Sequence, residues 1–226
     1  TLTLSGLDTV ANYQAALNGV TYQNISRAPS METRTVSFSV DDGFGGISTP
    51  KTVTVDVETS APPVIDGLSG DAVTYIQGDA AKLLDVDSGY DSVTGMYNYM
   101  ASVTDSDSYD FSGGRLTASV TEGAAAAEDI LGLSSYGDVT LLGNAAGSQV
   151  KVFGYTVGEL VNDIAAGNDL VIDFTGYWPS ASNVGELIQS LTYENADTTS
   201  PSLGSRTVSV TLDDGRGGIS TPATVT

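Results

Sequence analysis

The chain has 226 residues, long enough for one large or two small domains, with 8 basic against 28 acidic residues and a formal charge of −20. That balance excludes phosphate-backbone binding and docking on anionic membranes, and it permits a divalent cation or a cationic partner. Histidine and cysteine are both absent, so imidazole bases, thiolate nucleophiles, the usual zinc sets and disulfides are excluded as well.

In chain order, Val10, Tyr13, Gln14 and Leu17 recur at helical spacing, with Asp8 or Thr9 as cap and Gly19 as stop. Val36, Phe38 and Val40 alternate with Thr35, Ser37 and Ser39 and read as a half-buried strand, as do Val53, Val55 and Val57. Asp41-Asp42-Gly43 between them reads as a tight hairpin turn. Further strands are predicted over Leu116–Val120, Val139–Leu142, Val150–Phe153 and Leu170–Phe174. A second amphipathic helix carries Val184, Leu187, Ile188 and Leu191, with Asn183 and Glu186 in a capping-box pattern. In both helices the apolar face is expected to pack on a sheet. The remaining Gly-, Asp- and Asn-punctuated strands predict an all-β sandwich.

The chain also repeats itself. Residues 33–54, TRTVSFSVDDGFGGISTPKTVT, match residues 205–226, SRTVSVTLDDGRGGISTPATVT, at an offset of 172. Val20-Thr21-Tyr22-Gln23-Asn24 answers Leu191-Thr192-Tyr193-Glu194-Asn195, one residue out of that phase. Near-identity over this length predicts two domains. Residues 1–57 are the C-terminal part of one repeat, and residues 58–226 are a nearly complete second repeat whose last strand is cut. The chain is therefore expected to be a window on a longer array. Residues 1–57 carry a net charge of −2 and residues 58–226 a net charge of −18, so binding specificity is expected in the part seen once.

These runs resemble the end of a cadherin-like tandem repeat from giant bacterial surface and secreted proteins. The likeness continues in Val103-Thr104-Asp105-Ser106-Asp107-Ser108, in Phe111-Ser112-Gly113-Gly114-Arg115-Leu116-Thr117 and in Glu128-Asp129-Ile130-Leu131-Gly132. Residues 79–100 depart from it. The resemblance implies Ig/cadherin-like β-sandwich repeats in tandem, each with one short helix. It also implies a structural or adhesive role at the cell surface, frequently with calcium.

The candidate metal ligands are Asp105, Asp107 and Asp110 on one loop, then Asp85, Asp87 and Asp91, with Glu58, Asp66 and Asp71 around Pro62-Pro63. Calcium takes about 6–8 oxygen ligands, which such a loop supplies in part. The competing reading is that these are solvated turn-forming carboxylates. Asp41-Asp42-Gly43 and Asp213-Asp214-Gly215 read first as turns, with one carboxylate of each pair left to reach a metal in a neighbouring loop. Arg34 and Arg206 are each expected to pair with a carboxylate or a carbonyl within their own repeat, as an internal ion pair or an edge-strand gatekeeper, and Tyr22 and Tyr193 to sit in cores. Exposed Tyr177 and Trp178 are candidate ligand-binding residues for a sugar ring, against a plug at the end of the sandwich.

Three functions follow. The first is a calcium-stabilised structural or adhesive repeat whose partners are neighbouring repeats or further copies side by side. The second is a module binding carbohydrate or a host surface through Tyr177 and Trp178 or the segment from Tyr90 to Tyr99. The third, a carboxylate-based glycoside hydrolase, has no motif selecting its acids. The first is preferred, and no catalytic residues are assigned.

Overall fold

The computed structural model describes the chain apart from residues 27–28, 87–88, 92–95, 99 and 136. It divides into two units, Thr1–Val57 and Glu58–Thr226. The protein is all-β apart from two short helices. No helix among the described residues is long and apolar enough to cross a membrane.

The first unit holds α1 (Val10–Asn18), β1 (Arg34–Phe38) and β2 (Lys51–Val55). Thr9 caps α1, its hydroxyl accepting from Asn12 N at 3.3 Å, and Gly19 ends it. β1 and β2 pair antiparallel, Val36 facing Val53. The turn is wider than a two-residue hairpin. Asp41 bridges Ile47, and Asp42 Oδ1 accepts from Phe44 N and Gly46 N at 2.8 and 2.9 Å. One side chain thus organises the whole loop. The expectation that α1 buries an apolar face is corrected. None of its residues is buried, because among its described residues the unit offers only a two-stranded sheet.

The second unit contains β3 (Val64–Asp66), β4 (Lys82–Leu83), β5 (Gly89–Asp91), β6 (Met96–Asn98), β7 (Ser102–Thr104), β8 (Arg115–Glu122) and β9 (Asp129–Leu133). These are followed by β10 (Val139–Leu141), β11 (Gln149–Val152), β12 (Tyr155–Leu160), β13 (Leu170–Asp173), α2 (Ala181–Gln189), β14 (Leu191–Asn195), β15 (Thr207–Asp213) and β16 (Ala223–Val225). A seven-stranded antiparallel sheet runs in the order β10-β11-β12-β13-β8-β15-β16. A three-stranded sheet, β4-β14-β9, and the β3-β7 pair complete a sandwich-like arrangement, and β5 pairs with β6.

Alternation explains the core. Val208, Val210 and Leu212 of β15 lie opposite Val120, Ala118 and Leu116 of β8, and Leu170 and Ile172 of β13 lie opposite the other side of the same strand. Directly opposed residues share a face, so one register buries the whole apolar set. Phe111 and Phe174, both essentially buried, meet edge to face at 6.4 Å and close one end.

α2 differs from its prediction at both ends. Its cap is Ser180, whose Oγ accepts from Asn183 N at 3.3 Å, and Asn183 Nδ2 instead donates to Trp178 O at 3.1 Å. Leu191 belongs to β14 rather than to the helix, because Ser190 ends α2 and the chain turns into the sheet. The helix buries Val184, Gly185, Leu187 and Ile188.

Candidate metal centre

The loop after β7 and the loop after β15 meet. Asp105 Oδ1 accepts from the amides of Asp107 and Ser108 at 3.0 and 2.9 Å, an Asx turn that points the neighbouring side chains one way. Asp214 is fully buried. Its Oδ1 organises the hairpin loop as Asp42 does in the first unit, accepting from Arg216 N at 2.6 Å and Gly218 N at 3.0 Å. Its Oδ2 faces the other way and accepts from Ser60 Oγ at 2.6 Å and Ser108 Oγ at 3.3 Å. One oxygen from each of Asp105, Asp107 and Asp214 lies within 4.8 Å of the others, a group that could hold a metal ion.

The third side of the cluster is the extended segment entering the unit, ahead of β3. Ala61 N donates to Asp107 Oδ2 at 2.9 Å, and Ser60 Oγ lies 3.3 Å from Asp107 Oδ1. Gly218 is required by this approach. A Cβ there would stand 2.4 Å from Ala61 O and 2.6 Å from Asp214 Oδ2.

Asp105 Oδ2 is buried with no hydrogen-bond partner. A carboxylate oxygen out of water with nothing to accept from is costly, and a cation beside it removes that cost. Three carboxylates and the hydroxyl of Ser60 are hard oxygen donors of the kind calcium takes, with water completing the shell. The residues fit.

The other predicted ligands lie elsewhere. Asp110 accepts from Ser112 N at 2.9 Å and faces Arg216 at 3.8 Å, so it serves a loop and an ion pair. Buried Asp85 accepts from Ala101 N at 2.9 Å, and buried Asp71 accepts from Val86 N at 2.9 Å; both tie loops to the core. Glu58 and Asp66 are exposed and outside the cluster. Asp87 lies outside the described residues, as do residues 92–95 and 99 of the segment from Tyr90 to Tyr99. Ser60 was not singled out from the sequence. It stands 154 positions from Asp214, and no local pattern links them.

The Ala61 amide, with help from Ser60 and Arg216, holds the Asp107 carboxyl below the usual aspartate range. The Ser112 amide does the same for Asp110. A carboxyl depressed in the folded state contributes stability in full above its unfolded value, about 4, and loses it as pH falls through the folded value. Thermal melts followed by circular dichroism are therefore expected to be flat from neutrality to about pH 5 and to fall below about pH 4. A melting temperature that rises on acidification would contradict these assignments.

A second feature lies beside this loop. Tyr109 meets Trp178 edge to face at 6.1 Å. Trp178 has a φ of 51°, a left-handed conformation uncommon outside glycine, and is half exposed, while Tyr177 is 75% exposed. Phe111 and Phe174 are buried in the core, whereas Trp178 is half exposed.

Comparison of the chain with protein-family models, characterised proteins and solved structures returns no match.

Proposed function

We propose that the chain is a structural and adhesive module of cadherin-like repeats from an extracellular surface protein, in which a divalent cation, calcium by its donor preference, fixes the segment that leads into the repeat. One observation carries this reading. Ser60 and Ala61, immediately after the boundary at Val57, are bound to Asp107 and Asp214 beside the buried, unpartnered Oδ2 of Asp105. A cation there would tie the entry segment to two loops at once and neutralise three converging carboxylates. The same-chain neighbours of the module, or further copies alongside it, are its partners in this reading. The matching hairpins of the two units support it. Asp42 N to Gly46 O and Asp214 N to Gly218 O are both 3.0 Å, and Ser48 and Ser220 cap equivalent amides at 2.9 and 3.0 Å.

Melting with and without calcium tests the reading. At a calcium concentration a hundredfold above its Kd, binding to the folded state alone adds about 2.7 kcal/mol. For a chain of this size that is a rise of roughly 5–10 °C. Asp107→Asn, on an exposed loop residue, is expected to reduce the shift sharply while lowering the calcium-free melt only by the weakened bond to the Ala61 amide. A wild-type melting temperature that ignores both calcium and chelator removes the cation.

The grouping of Tyr109, Tyr177 and Trp178 supports a second reading, a module that binds a sugar ring on exposed aromatic faces. Trp178→Ala is then expected to abolish retention on immobilised polysaccharides. Retention that is unchanged, or absent in the wild type, leaves the spacer role alone.

A further inference from the structure

The two units carry the same apolar pattern and treat it oppositely. In the second unit Leu212 is fully buried and Val225 is 1% exposed; their counterparts Val40 and Val53 are 48% and 55% exposed. The difference extends through the helix. Ile188 and Leu191 are 0% and 1% exposed, whereas Leu17 and Val20 are each 38% exposed. Leu191–Asn195 is a strand because β4 and β9 flank it; the matching residues 20–24 form no strand. β15 runs for seven residues with β8 on one edge and β16 on the other, while β1 runs for five and pairs only with β2 among the described residues.

We propose that Thr1–Val57 is an acceptor half-sandwich, and that its partner is a shell of the kind formed by residues 58–171. The second unit shows what that partner must bring. A strand like Gly114–Val120 lies along the free edge of β1, placing residues like Leu116 and Ala118 opposite Val40 and Phe38, as they lie opposite Leu212 and Val210. Its arginine faces Asp41 as Arg115 faces Asp213. Its glycine precedes that arginine because a Cβ at Gly114 would stand 2.1 Å from Asp213 O. A strand like β9 lies along residues 20–24. Leu2 and Leu4, 81% and 64% exposed, alternate as Ile172 and Phe174 do and complete the sheet behind. Opposed apolar pairs on one face, with backbone hydrogen bonds along an open edge, are the means by which a sheet takes up a further strand. The inference stands on the duplicated hairpin and not on the cation, so the two fail separately.

The test extends the full chain at its amino end with a second copy of residues 58–171 and follows amide hydrogen exchange. Protection over residues 20–24 and 34–40 is expected to rise on the order of 100-fold, toward that of β14 and β15. Placing L116D and A118D in the added copy alone is expected to return those amides to the rates of the unextended chain. If the added shell stays unprotected, or the amides of β1 exchange as before, the proposal is overturned. It is also overturned if the unextended chain sediments as a dimer with those amides already protected, since a second copy would then be the occupant.

Discussion

Replacing Arg206 with alanine is expected to destabilise the second unit by about 3–5 kcal/mol, the cost of leaving a buried charge without its partner. Asp129 has a side chain only 2% exposed, and Arg206 Nε stands 3.1 Å from its Oδ1. The remaining partners of that carboxylate are neutral: Tyr193 OH at 2.6 Å and the amide of Ala125 at 2.5 Å. Burial and the bond to Asp129 push the Tyr193 hydroxyl up to about 12, so the tyrosine stays a donor through the neutral range. Urea unfolding read on Trp178, the sole tryptophan, measures the loss directly. Arg206→Lys restores the charge without the guanidinium geometry and is expected to recover only part of it. The contrast is Arg115 with Asp173, a bidentate pair whose side chains are 48% and 36% exposed. There Arg115→Ala is expected to cost less than about 1 kcal/mol. Equal losses at the two arginines would show that burial does not set the scale. Arg34, which matches Arg206 in sequence, donates to the carbonyls of Ser30 and Glu32. Of the two partners expected for these arginines, a carboxylate or a carbonyl, Arg206 takes a carboxylate and Arg34 takes carbonyls.

Leu212→Ala is expected to cost about 2–5 kcal/mol, and Val40→Ala, its counterpart 172 positions earlier, within about 0.5 kcal/mol. Leu212 is fully buried opposite Leu116; Val40 is 48% exposed. The sequence surroundings are nearly the same, although Leu212 lies within β15 and Val40 two residues past the end of β1, so most of the difference comes from what covers each side chain. That is the transfer of apolar surface and the cavity left behind. Denaturant midpoints of the two variants supply the measurement. A large loss at Val40 in the monomeric chain would mean that something already covers the first unit.

Read together, these expectations separate the two tasks of the duplicated hairpin. Asp42 and Asp214 each organise a loop with one carboxylate oxygen. Only Asp214 has its second oxygen beside Asp105 and Asp107. The loop function is local and travels with the sequence. Holding a cation, as proposed, would need two further segments, residues 60–61 and 105–108, brought to the same point by the sheet. Calcium dependence is accordingly expected of the second unit and not of the first.

The division between sequence and tertiary structure follows the same line. Strand alternation around Leu116–Val120, the helix at Val184–Ile188, the glycine-rich loop after Asp214 and a turn at Asp105 depend on residues within a few positions of one another. The order of the residues sufficed to place them, with the start of α2 three positions out. The all-β class and the 172-residue duplication were legible for the same reason. The cap of α2 was missed because Ser180 and Asn183 both offer suitable side chains, and only the path of the chain past Trp178 selects between them. The meeting of Ser60 with Asp214, of Asp129 with Arg206, and of Tyr109 with Trp178 joins residues 154, 77 and 69 positions apart. No local pattern encodes such pairs, since they exist only once β8 lies between β13 and β15 and the loops at the sheet's ends are brought together. The same holds for burial. Val-Thr-Tyr and Leu-Thr-Tyr are equivalent as sequence, yet one is an exposed segment and the other an inner strand, because apolar surface is buried by what packs against it and not by the residue that carries it.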